Sequence, residues 1–322
     1  MFETVRLFGV VSRSEFIMPN LGSLIMGLAW GASPAIGFAD LVVLVAFSFT
    51  IINLSSAIGA QVNTLSDYEL DLKDERKKQL VLALDSFGRI RLRRIVVAEM
   101  LIALALVALF TLIQGKLVLL PMWVCGILLG WAYSAPPLRL KSRSWLAPVA
   151  LILVLAVLPV LFAYCAFTFE ASSFFLFSLA GLALTVYAVI LPTEIRDYFG
   201  DKAMDIETMT VRLGLAKASL LSIVLLALGA TLTSVAFFLE FAHEQRLWLG
   251  VLLLAPIVAV LFVLGKLWKL HVLSKKYEDP EEEGSVEEDV VNLSARNPQW
   301  IMLVTQTYSA LSIILLLSKF WL

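Results

Sequence analysis

Charge is scarce in this chain: 16% of its 322 residues are Asp, Glu, Lys or Arg, while 60% are hydrophobic. Soluble domains hold about 25% charged and about 45–50% apolar residues, so this deficit excludes an ordinary water-soluble fold. Cysteine is almost missing, and the two present, Cys125 and Cys165, both fall inside apolar stretches. A disulfide framework and a metal–thiolate site are thereby excluded, and packing is left as their role. Histidine is equally sparse. His243 is expected on one membrane face and His271 beyond the end of an apolar stretch, each at the surface and neither in acid–base work. The formal net charge of −1 says nothing of partners, because positive and negative residues are segregated by loop. Nucleic acid binding finds no support.

What the chain does have is long apolar runs. A membrane-spanning helix needs roughly 20 predominantly apolar residues, and nine such runs occur, near 17–37, 41–62, 95–114, 117–135, 146–167, 173–193, 218–240, 247–267 and 300–320. The expectation is an all-α integral membrane protein with nine transmembrane helices around a central cavity. Of the 25 Lys and Arg residues, only Lys116, Arg246 and Lys319 fall on one side; the rest mark the cytoplasmic side, which holds the N-terminus. Met1 to Glu15 is mixed polar and shows no cleavage site, so the first span is expected to act as its own insertion signal. The lack of a transit-like leader favours a prokaryotic plasma membrane.

The cytoplasmic connections are long and polar, and two carry matched acidic motifs: "NTLSDYELD" from Asn63 to Asp71, and "DYFGDKAMD" from Asp197 to Asp205. Asn63, Asp67 and Asp71 each precede Asp197, Asp201 and Asp205 by 134 residues. On a helix, a spacing of four stacks side chains on one face, where like charges repel unless a cation lies between them. Mg²⁺ prefers oxygen ligands and commonly joins one or two carboxylates to phosphate oxygens. Two such helix ends at one membrane depth suit a diphosphate bridged by metal, with Asn63, Asp67 and Asp71 as one wall and Asp197, Asp201 and Asp205 as the other. The equal offset suggests an internal duplication of spans 1–4 as spans 5–8 within a single domain covering 1–322.

A third stretch, "YSAPPLRLKSR" from Tyr133 to Arg143, lies between the fourth and fifth spans. Together the three resemble the signatures of the UbiA superfamily of intramembrane prenyltransferases, an NxxxDxxxD motif after the second of nine helices and a DxxxD motif after the sixth. The resemblance covers the whole chain. It implies an enzyme that ionises an allylic isoprenyl diphosphate with Mg²⁺ and passes the prenyl group to an aromatic or lipid-soluble acceptor. It also implies roles: Asp67 and Asp71 on one metal with Asn63 assisting, and Asp197 and Asp201 on the other. Arg139, Lys141 and Arg13 become diphosphate contacts, with Tyr133 a hydroxyl donor near the leaving group. Metals and cations stabilise charge where it develops on the leaving diphosphate, and a dry cavity protects the allylic cation.

This chain also departs from the family pattern. Where an Arg-Pro pair is frequent it has "DERKKQL" with Arg76, Lys77 and Lys78; Asp205 stands where glycine is frequent, and is either a third ligand or a solvated carboxylate. Asp71 to Arg94 is expected as an amphipathic helix, its basic end either an anchor or a phosphate contact. Tyr277 to Asp289 is expected as a solvated acidic loop. Glu99 and Glu194 are costly inside spans, as acceptor-side bases or, with more support, as salt-bridged or snorkelling groups. Two other outcomes share the fold, a terpene cyclase and a carotenoid prenyl-adding enzyme. A cation transporter is the reading from a different class, but its carboxylates belong at the bilayer midplane.

Overall fold

The computed structural model describes residues 2–14, 17–73, 77–279 and 286–321. Arg76 and the middle of the acidic loop lie outside the described residues. Every described element is helical, as a chain whose backbone must satisfy itself within lipid requires. In order these are α1 (Phe2–Val11), α2 (Ile17–Gly31), α3 (Phe38–Ser66), α4 (Tyr68–Asp71), α5 (Lys78–Phe87), α6 (Arg89–Gln114) and α7 (Leu119–Ser134). They are followed by α8 (Leu146–Ile152), α9 (Leu158–Cys165), α10 (Ser173–Ala203), α11 (Met209–Leu213), α12 (Leu215–His243), α13 (Leu254–Tyr277), α14 (Glu287–Ser294) and α15 (Asn297–Trp321). Seven helical stretches, with α8 and α9 counted as one, are long and apolar enough to cross a membrane. The expected first and fourth spans appear as the shorter α2 and α7, of 15 and 16 residues.

Two crossings set the geometry. Where α10 meets α12, Gly181 and Gly229 face each other so closely that a Cβ on Gly229 would lie 2.6 Å from the Gly181 carbonyl oxygen. Small residues at this contact let the two backbones approach, the packing that replaces hydrophobic force in lipid. Gly27 of α2 does the same against α9, its hydrogen meeting the Val160 carbonyl where a Cβ would sit 2.5 Å away.

Prolines shape the walls, and serines repair them. Pro159 cannot donate to the carbonyl four residues earlier, and a π-helical turn over Leu153–Val157 joins α8 to α9 here. Ser23 of α2 donates instead to that Leu155 carbonyl, at 3.4 Å. Pro192, inside the continuous helix α10, likewise cannot donate to the Ala188 carbonyl, and Ser222 of α12 donates to it at 2.5 Å. Each carbonyl left without its helical donor is thereby satisfied by a neighbouring helix.

Three expectations change. The Asp71–Arg94 segment is not one helix: Gly88, at φ 96°, separates α5 from α6, and α5 packs Ala83, Leu84 and Phe87 under Val11 of α1. His271 is buried rather than at the surface, because α13 continues to Tyr277 against α12, where its Nδ1 lies 3.0 Å from Ser219 Oγ and 3.0 Å from the Ala216 carbonyl. The end of the acidic segment is helix α14, anchored by fully buried Val290.

Candidate active site

A cavity of about 370 Å³ lies among α2, α3, α7, α8, α9, α10, α12 and α15, lined mostly by apolar side chains. Arg13, Asn63, Tyr133 and Ser134 line it at the end where the acidic motifs begin. Depth is set by antiparallel register. Gln61 of α3 donates to Ser12 at 2.9 Å, and eight residues further along each strand of chain Asn20 donates to Asn53 at 3.3 Å.

The first motif leads away from the cavity, with Asn63 in its lining. Asn63 lies in the last turn of α3, the Asp67 N–H donates to the Asn63 carbonyl at 2.9 Å, and the Asp71 N–H donates to the Asp67 carbonyl at 2.8 Å. The i, i+4 stack therefore survives the joint between α3 and α4. Asp67 and Asp71 are buried, at 5% and 4% exposure, and a buried carboxylate demands a partner. Asp67 receives two: Arg139 at 3.1 Å and Lys141 on its other oxygen. Lys141 also reaches Asn63 Oδ1 at 3.5 Å, to which Ser134 donates at 3.0 Å.

The "PPLRLKSR" turn carries these cations because its backbone is bent for the purpose. Arg139 adopts φ 39°, a left-handed conformation rare for a side chain with a Cβ, and leads into the 3₁₀ turn Leu140–Ser142. Ser142 Oγ donates to the Arg139 carbonyl at 2.9 Å and fixes it. Arg13 is likewise left-handed, at φ 48°. Such strain costs about 1–3 kcal/mol and gathers where a side chain must be aimed.

Lys77 is the residue that sequence reasoning left without a role. It pairs with Asp71 at 2.7 Å, and the charges of Asp197 and Asp67 act on it as well. Burial pulls its pKa down, but the hydrogen bond to Asp71 and the three carboxylates more than offset this, leaving it raised. Lys141 goes the other way: burial outweighs the attraction of Asp67, and Arg139 and Lys77 push its pKa lower still. The one sequence signal for Lys77 was position, six residues beyond Asp71 in the run that replaces Arg-Pro.

In the second motif Asp197 lies on α10, paired with its neighbour Arg196 through both oxygens at 3.0 and 3.3 Å. Asp201 stands one turn further on the same helix. Asp205 does not continue the stack: α10 ends at Ala203, and Asp205 follows at φ 57° and exposed. Met204 and Ile206 instead donate back to the Asp201 carbonyl, at 3.2 and 2.9 Å, folding the chain away from the helix axis.

Tyr133 lines the cavity at this end, within the electrostatic reach of Glu194, Asp67 and Asp201. Glu194 accepts from Thr210 Oγ1 at 3.1 Å. Glu99 lies beside Gln61, with Oε2 buried and unpartnered. Among the described residues no three His, Cys, Asp or Glu side chains close on one point; Asp67, Asp71 and Asp197 are each paired with a side-chain cation.

The chain is 29% identical over 110 residues, 34% of its length, to the bacteriochlorophyll synthase 33 kDa chain of Cereibacter sphaeroides, and the match spans 36% of that relative. Its fold is similar to that of a UbiA homolog from Archaeoglobus fulgidus bound to DMAPP and Mg²⁺, with TM-score 0.64 and 15% identity over 96% of this chain and 98% of that one. It is also similar to the apo UbiA homolog from Aeropyrum pernix K1, with TM-score 0.63 and 16% identity over 93% and 98%. At these identities the structures speak for the fold alone. Sequence signatures, cavity and cation-lined acidic mouth meet in one family, whose pattern matches residues 19–278: the chain belongs to the UbiA prenyltransferase family.

Proposed function

We propose that this protein breaks the C1–O bond of an allylic isoprenyl diphosphate at the mouth of its cavity and transfers the prenyl group to an aromatic or lipid-soluble acceptor. The observation that carries this reading is the adjacency of Arg139, Lys141, Asp67 and Asn63 to the opening of an apolar chamber. A diphosphate finds cations there, and its hydrocarbon tail finds oil. The Archaeoglobus homolog's bound DMAPP and Mg²⁺ support the same ligand class.

The donor set fits Mg²⁺ by its chemistry: Asn63, Asp67, Asp71, Asp197 and Asp201 offer only oxygens, the hard ligands this ion takes. Two walls without a converging trio suit an ion that completes its shell from phosphate oxygens and water. When bound, Mg²⁺ would neutralise charge on the diphosphate. Asp205, exposed beyond the helix end, has no part in this set.

The chain's own groups do the rest. Arg139, Lys141 and Arg13 hold the diphosphate and stabilise the electron pair it takes when the C1–O bond breaks. Tyr133 offers its hydroxyl to the leaving oxygen from the cavity wall. The apolar lining excludes water, so that the allylic cation meets the acceptor first. The acceptor supplies electrons for the new bond and loses a proton to solvent or a mouth carboxylate. The wider arrangement we infer is a single domain with related halves, nine spans in all with α2 and α7 among them. The N-terminus and mouth face the cytoplasm of a prokaryotic plasma membrane.

The test is release of diphosphate from allylic isoprenyl diphosphates by purified protein in detergent, with and without Mg²⁺, compared with Asp67→Ala and Asp201→Ala. Release that needs Mg²⁺ and falls at least 10²-fold in both variants supports the reading. Release or binding indifferent to both substitutions refutes it. Products formed with and without a lipid-soluble aromatic acceptor then separate transfer from internal cyclisation.

A further inference from the structure

The cavity has a measurable depth, and three helices agree on it. On α3 the lining runs from Asn63 to Ile51, on α7 from Ser134 to Met122, and along α8 and α9 from Ala150 to Phe162. Each interval is 12 residues, or about 18 Å at the helical rise. An isoprene unit adds four backbone bonds to an extended chain, about 5 Å at carbon–carbon bond lengths near ~1.5 Å. Three units span about 15 Å and four span about 20 Å.

What ends the cavity on this side is rigid. Phe162 is 4% exposed and packs on Phe110 at 6.0 Å between ring centroids, and Phe110 stacks on Phe47 at 5.3 Å and 7°. Trp123 lies at the same depth, its indole N–H donating to Ser55 Oγ at 2.8 Å, which fixes the ring. The opposite wall differs in chemistry. Thr185 and Thr233 line it, each 2% exposed with a buried hydroxyl lacking a partner, and a hydrocarbon tail gains less there than against Phe162 and Trp123.

We propose that Phe162, flanked by Trp123, is the chain-length stop of this enzyme, and that the tail which fits extended between the mouth and this stop has three isoprene units. The proposal rests on the prenyl-diphosphate reading above. A fourth unit overruns the stop by about one carbon–carbon bond and has to fold back.

The test is Mg²⁺-dependent binding of thiolo-diphosphate analogues bearing one to four isoprene units, by calorimetry in detergent, with diphosphate release measured on the matching substrates. For the wild type, affinity rises with each unit to three and falls at least fivefold at four. Phe162→Ala opens room below and moves the optimum to four units. Phe162→Leu, a milder change, narrows the discrimination without loss of folded protein, which a thermal scan checks. Should the wild type bind four units as tightly as three, or both Phe162 variants keep the wild-type profile while folded, the stop is refuted. If no chain length binds or releases diphosphate in folded wild-type protein, the donor reading falls and the stop with it. A normal Mg²⁺-dependent response with an unchanged profile refutes the stop alone.

Discussion

Replacing Lys141 by Met keeps the stem and removes the charge that Asp67 meets inside the mouth. The structure sets the size of the effect. Asp67 has a side chain 7% exposed and Lys141 one 19% exposed, so the pair lies between a surface bridge worth about 0–1 kcal/mol and a buried pair whose rupture costs about 3–5 kcal/mol. Arg139 remains on the other Asp67 oxygen at 3.1 Å, which lowers the loss to about 2 kcal/mol. Asp67→Asn leaves two cations with partial access to water, at 19% and 31% exposure, and costs about 1 kcal/mol. The double variant loses the charge and its partner together, so the two losses do not add. The cycle should give a coupling of about 1–2 kcal/mol. Denaturant-driven unfolding in mixed micelles, followed by tryptophan fluorescence, measures all four proteins. Because the pair is largely shielded, the coupling should change little between low and high salt. A coupling below about 0.5 kcal/mol, or one abolished by salt, would refute the view that Lys141 is the principal partner of a buried Asp67.

Tyr133→Phe removes only a hydroxyl at the cavity mouth, and turnover should fall roughly 10²-fold with little change in KM, as expected of a donor used in the transition state; steady-state diphosphate release reads both. Gly229→Ala would place a Cβ 2.6 Å from the Gly181 carbonyl oxygen and 2.5 Å from Thr185 Oγ1, so α10 and α12 must separate at about 1–3 kcal/mol. The check is a lowered unfolding midpoint. Lys319→Met removes a cation that reaches the Trp30 and Ala32 carbonyls at 3.4 and 3.5 Å and Glu240 at 3.9 Å, opposite the mouth. It should cost about 1–2 kcal/mol of stability while diphosphate affinity stays within twofold. Loss of diphosphate binding there would show that the two ends of the bundle are coupled.

The sequence by itself determined the class of the protein. Apolar runs of spanning length leave lipid as the only solvent in which they are stable, and runs of roughly 20 residues satisfy their own backbone there as helices rather than as the shorter strands of a barrel. The spacing of four in Asn63, Asp67 and Asp71 also settled a shared helical face, because that geometry is local and depends on three consecutive turns. Its twin failed at Asp205 since one left-handed residue past Ala203 ends the period, and an acidic sequence carries no sign of where a helix stops. Tertiary structure alone decided the pairings. Lys77 pairs with Asp71 and also lies within the electrostatic reach of Asp197, more than a hundred residues further along the chain. His271 became buried because α13 outran its apolar stretch alongside α12. The cavity's depth, too, follows from antiparallel register and from which aromatic rings meet at its floor. These quantities depend on distances between helices, and no single helix records them.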